Sequence, residues 1–175
     1  MRNSQGTEES ETTTRRLPFS LVPTGLWKRN LRNAMGKKRW QKLRKELLNG
    51  RDLVCDVCRT HVDSASDLKG HEQWQYFEKE GAQSIAKLIG VSLVCELCHD
   101  AEHFGRIQSL RRDGEVSDNR VNQIIGHYCR VNGVSRRQFD EDFALALEEH
   151  HRRSQFTWLI EWGSYRKCVN DEAAG

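Results

Sequence analysis

Apolar residues recur along this chain with two periods, and the switches between them mark the elements. Residues 1–16 show neither period and are rich in Ser, Thr and Glu, so a disordered polar tail is expected there. Pro18 and Pro23 make the next stretch an extended lead-in, followed by a short turn or helix over Leu26 to Leu31 that bears Trp27. From about Lys37 to Leu48, Trp40, Leu43 and Leu47 fall on one helical stripe, and Asn49-Gly50 stops it. Leu53 to Cys58 reads as a strand running into a tight knuckle. Leu68 to Phe77 reads as an aromatic-rich strand, and residues 78–84 as a polar loop. A second knuckle, Leu93 to His99, feeds a helix that runs to about Arg112, before Asp113-Gly114. Val121, Ile124, Ile125 and Tyr128 predict a helix from Ser117 or Asp118 to Asn132-Gly133. Ser135 and Gln138 form a capping-box pattern ahead of a helix carrying Phe139, Phe143, Ala146 and Leu147. Phe156, Trp158, Ile160 and Trp162 then alternate as in a strand.

Composition changes this picture in two ways. Hydrophobic residues are only 37% of 175 and charged residues 30%, which leaves little for a large core. The net charge of +3 is an average over unlike parts. Residues 1–50 hold twelve Lys and Arg against four Asp and Glu. Nine of those twelve lie between Lys28 and Lys45 with no acid among them: Lys28, Arg29, Arg32, Lys37, Lys38, Arg39, Lys42, Arg44 and Lys45. Such a face suits nucleic-acid phosphates, DNA above all, although a solvated helix face is the ordinary reading of a charge run. No apolar run approaches the roughly 20 residues of a membrane span, and the first residues lack the apolar stretch of a signal peptide. A soluble, cytoplasmic protein with no membrane partner is expected.

In a reducing compartment, six cysteines are read for metal before disulfides. Cys55-x2-Cys58 and Cys95-x2-Cys98 are two knuckles, each giving two sulfurs from one tight loop. Four thiolates at about 2.3 Å close a tetrahedral structural zinc shell. Redox-active thiols and an iron–sulfur centre are the competing readings of this spacing. Cys129 reads as a small buried residue, and Cys168 carries no signal. His99 and His103 lie four apart on the helix leaving the second knuckle, so both rings can reach one ion. His71 lies on the strand between the knuckles. His61, His127, His150 and His151 read as loop, surface or packing residues.

The ordered set Cys55, Cys58, His71, Cys95, Cys98, His99 and His103 resembles the HNH endonuclease superfamily in its zinc-knuckled form. Longer stretches, among them Val22 to Trp27, Gly70-His71-Glu72-x-Trp74-x-Tyr76 and His103-Phe104-Gly105-Arg106, are similar to a group of uncharacterised bacterial HNH-like proteins. The resemblance implies an α+β fold: a small zinc-bound ββα-metal, treble-clef-like core, with an N-terminal basic helix and C-terminal helices. It implies metal-dependent hydrolysis of phosphodiesters. His71 would be the general base, and His99 and His103 would hold a catalytic divalent ion (Mg2+, Mn2+, Ni2+ or Zn2+). Glu72 would substitute as a further ligand or orienting group.

Two positions depart from the family pattern. Gly70 stands where an Asp or His precedes the base, and Gly90 where the central Asn usually lies. These departures motivate an alternative: a catalytically inactive zinc module that binds nucleic acid or a protein partner. The expected organisation is a tail at 1–16, a basic helical lead-in at 17–50, and the zinc-bound core at 51–112. A helical extension with a terminal strand follows at 113–165, and a tail at 166–175.

Overall fold

The structure, a computed structural model, describes residues 15–169. Most of the two expected tails, residues 1–14 and 170–175, therefore lies outside the described residues. At their inner edges the chain is packed: Arg15 pairs with Asp142 at 2.7 Å, and Val169 is buried in a core.

Among the described residues the fold is mixed α+β, with one α-helix before the sheet and four between its second and third strands. The elements are α1 (Leu31–Leu48), β1 (Leu68–Phe77), β2 (Ser84–Cys95), α2 (Glu96–Glu102), α3 (Phe104–Arg112), α4 (Asp118–Asn132), α5 (Arg136–Arg153) and β3 (Trp158–Glu161). The sheet order is β1-β2-β3, with β1 antiparallel and β3 parallel to β2. Gln73 pairs with Gly90 and Trp74 with Leu88, so Ile89 is an extra, exposed residue in a bulge. Among the described residues no helix is long and apolar enough to cross a membrane.

Several elements differ from expectation for identifiable reasons. The helix of the lead-in starts six residues early, but Gly36, at φ 77° and ψ 162°, breaks it into two parts. That backbone region is open essentially only to glycine. The expected strand at 53–58 reduces to one bridge, Val54 to His61, because the first knuckle turns at once. The helix expected to run from the second knuckle to Arg112 is split at His103, whose ψ is 31°.

Two cores flank the β1–β2 hairpin. One gathers Leu68, Leu93, Cys55 and Cys98 with Phe104, Ile124, Tyr128 and Phe139 from the C-terminal helices. The other packs Leu31, Met35 and Trp40 of α1 against Ala86, Leu88, Trp158 and Ile160 of the sheet.

Alternation along β1 decides what each of its residues can reach. Gly70 and Glu72 face α1. A Cβ at Gly70 would sit 2.8 Å from Trp40 Cζ2, so the absence of a side chain is what lets the indole lie on the strand. Gly70→Ala is expected to lower unfolding free energy by about 1–3 kcal/mol through overpacking, read from denaturant midpoints. Glu72 accepts from Leu31 N at 2.8 Å and from Trp74 Nε1 at 3.2 Å. It therefore holds the first turn of α1, where a carboxylate also complements the helix dipole. His71 faces the other way, toward α2.

Candidate metal centres

The first knuckle is shaped by its own backbone. Arg59 takes a left-handed conformation, with φ 65°, and donates N–H to Cys55 O at 3.1 Å. Asp56 then clips the loop to β2, accepting from Leu93 N at 2.7 Å and donating its own N–H to Leu93 O at 2.9 Å. The second knuckle straddles the end of β2 and the first turn of α2, so both loops meet beside Leu93.

The result is convergence of Cys55, Cys58, Cys95 and Cys98, whose sulfurs all lie within 4.8 Å of one another. Cys58 and Cys95 sulfurs are 3.7 Å apart. Sulfurs held tetrahedrally at about 2.3 Å from an ion sit about 3.8 Å apart, so the spacing fits a structural zinc site. The thiols also compete for protons. Hydrogen bonds from Cys95 and Cys98 hold Cys55 far below the usual thiol range, and the bond to Cys55 pushes Cys95 up to about 12. Cys98 is raised as well, first by Cys55 and then by Cys95. A cation removes that competition by accepting all four as thiolates.

His127 of α4 packs, and it also reaches the sulfur cluster. It is buried, with Nε2 3.1 Å from Cys98 Sγ. Burial, and then Arg130, lower its pKa, so the ring is neutral and its Nε2–H can donate to a thiolate. Such outer contacts tune metal affinity. His127→Ala is expected to weaken zinc binding roughly 10–100-fold in a competition with a chromophoric chelator. The sequence signal was its place between Ile124 and Tyr128 on the buried stripe of α4.

A second cluster joins His71, His99 and His103, whose ligand nitrogens also lie within 4.8 Å of one another. Ring centroids are 4.7 Å apart for His99 and His103, 4.9 Å for His71 and His103, and 6.1 Å for His71 and His99. The break at His103 does not separate the pair on α2, because His103 N still bonds His99 O at 3.1 Å. Burial, then the neighbouring His103 and His99, lower His71 to about 3; burial, then His99, lowers His103 to about 4. Both rings are therefore neutral at ordinary pH, with lone pairs free to bind a cation. Asp100, held below the usual carboxylate range by His99 and Arg120 against the effect of burial, flanks His99 at 3.9 Å. Three imidazoles suit zinc, nickel or cobalt better than magnesium, which prefers oxygen donors.

Glu72 is not part of this cluster. Its carboxylate is committed to α1 on the opposite face of β1, which overturns the expectation that it assists His71. Glu102 is the acid beside the cluster, with Oε2 3.2 Å from His71 Nδ1 and both side chains nearly inaccessible, at 6% and 5% exposure. Burial, and then Cys55, push Glu102 up to about 8. Its signal in the sequence is the spacing of three from His99, which puts it on the same flank of α2.

The basic residues separate into two sets. Arg29, Arg39 and Arg44 donate to the backbone carbonyls of Trp158, Cys168 and Leu68, the last at 2.7 Å. Lys28, Arg32, Lys37, Lys38, Lys42 and Lys45 are exposed, and Lys38, Lys42 and Lys45 fall at i, i+4 and i+7 along α1. Since α1 packs on the Gly70 side of β1, this basic face lies across the sheet from the histidines.

The chain matches no protein-family model, and no curated protein and no solved structure is found to resemble it.

Proposed function

We propose that this chain is a zinc-stapled module that binds nucleic acid along the outer face of α1 and carries a second divalent centre of three histidines. The observation that supports it most is the pair of separate clusters, four sulfurs and three imidazoles. The sulfur cluster would hold structural zinc, closing a small core that lacks apolar mass. The exposed lysines of α1 would meet the phosphate backbone of DNA, without reading sequence.

Fluorescence anisotropy with a labelled duplex tests the binding. Affinity is expected to fall linearly with salt on a log–log plot, and replacing Lys38, Lys42 and Lys45 with Glu should flatten the slope by about 0.9 per lost phosphate contact. A slope unchanged by the triple variant would remove α1 from the interface.

Convergence of the histidines favours a second reading, HNH-like phosphodiester hydrolysis. A divalent ion at such a centre supplies Lewis-acid stabilisation of a phosphoryl oxygen. His99 and His103 would orient it from one turn of α2, and the part-exposed His99 marks the side from which a phosphate would approach. His71, buried among the ligands, fits a third ligand better than a free general base. The basic face across the sheet favours the module over this reading, because DNA seated on α1 does not thereby reach His99.

A further inference from the structure

Glu102 and His71 form a buried pair that neither the zinc site nor the basic face uses. Their nearest atoms, Oε2 and Nδ1, are 3.2 Å apart but out of line for a hydrogen bond. Neither atom has another hydrogen-bond partner among the described residues. A buried carboxylate oxygen and a buried ring nitrogen left without partners each cost free energy, so the arrangement needs a reason. Glu102 does not belong to the converging ligand group, so it stands behind His71 and not beside the ion. The backbone fixes it there: Glu102 O accepts from Ser20 N at 2.7 Å, and His71 O is reached by Ser92 Oγ at 3.4 Å.

We infer that Glu102 is the positioning residue of the three-histidine centre: it accepts from His71 Nδ1–H and leaves Nε2 to the cation. The inference rests on the proposed centre and deepens it. A metal-bound imidazole usually donates its second N–H to such a partner, which fixes tautomer and ring angle and raises ligand basicity. A small rotation of the ring, drawn by the ion, brings the N–H into line and satisfies both atoms. Binding of the cation favours release of the Glu102 proton to solvent, and the carboxylate so formed offsets part of the ion's charge behind three neutral donors, so a borderline ion such as Co2+, Ni2+ or Zn2+ is the expected occupant.

The test uses the full chain with its sulfur site loaded with zinc, and Co2+ as probe of the second site. Glu102→Gln keeps an acceptor and loses the charge; Glu102→Ala loses both. Co2+ affinity is expected to fall about tenfold in the first and toward 100-fold in the second, with the tightly held zinc unchanged. Nitrogen-15 NMR should show His71 protonated at Nδ1 in the wild type and a mixture of tautomers in Glu102→Ala. Equal Co2+ affinity in all three proteins, or an Nε2–H tautomer at His71 in the wild type, overturns the role of Glu102. The wild-type tautomer decides even if a variant does not fold. A wild-type chain with no second Co2+ site overturns the centre itself, and this inference with it.

Discussion

Removing the metal from the sulfur site should unfold the half of the chain built around Leu93, at temperatures where the loaded protein is fully folded. Structural zinc in small domains supplies apparent binding energies of about 10–16 kcal/mol at neutral pH. Whole domains retain only about 5–15 kcal/mol of net stability. The first number is as large as the second, so what is left without metal is close to zero or negative. The geometry gives the same answer. Cys55 and Cys98 are fully buried within the core formed by Leu68, Leu93, Phe104, Ile124 and Tyr128. Without a cation their sulfurs face one another in competition for protons, while the Asp56 clip ties the first knuckle to β2. Chelation should abolish the cooperative melt and collapse amide protection in β1, α2 and α4. Cys55→Ser should have the same effect. A cooperative transition that survives complete removal of metal would refute structural zinc here.

Much of this half was legible because its signals are local. The spacing within each knuckle, the strand Leu68 to Phe77, and the stripe on α4 each depend on neighbours in sequence, and the structure keeps them. What was not legible depends on partners far along the chain. β2 was hidden because Lys87, Gly90 and Ser92 interrupt its apolar residues; it is a strand through its ladder with β1, not through its own pattern. That Glu72 points away from His71 follows from strand alternation; that its carboxylate bonds Leu31 N does not, because that partner lies forty-one residues upstream. Glu102 looked like any acid on a helix, and only the fold buries it against His71. The basic run was visible as charge. That it lies across the sheet from the histidines is a fact of topology, and it is the fact that most changes the functional reading.

Under metal titration, the wild type should take up two ions per chain in distinct steps, and His99→Ala should take up one. The two clusters share no residue, so a loss at one need not touch the other. The sulfur site offers four cysteine donors, two of them buried, and it should bind zinc tightly in both proteins. The histidine site has three neutral donors and an opening at His99, so its ion should exchange faster and bind more weakly. Deleting a ligand removes a bond to the ion itself, and should cost more than the roughly 10–100-fold that outer contacts do. His71→Ala should behave like His99→Ala if His71 is a ligand, and should retain the second ion if His71 is a free base. Glu72→Gln should leave both ions in place and weaken only α1, because its carboxylate bonds Leu31 N on the other face. The same four proteins, incubated with plasmid DNA and Ni2+, Mn2+ or Mg2+, separate the two functional readings. Nicking that follows occupancy of the second site, present in wild type and Glu72→Gln and absent in both histidine variants, would establish hydrolysis. Two bound ions and DNA binding with no nicking under any of the three metals would leave the chain a binding module, with its histidine centre holding an ion for shape rather than for chemistry.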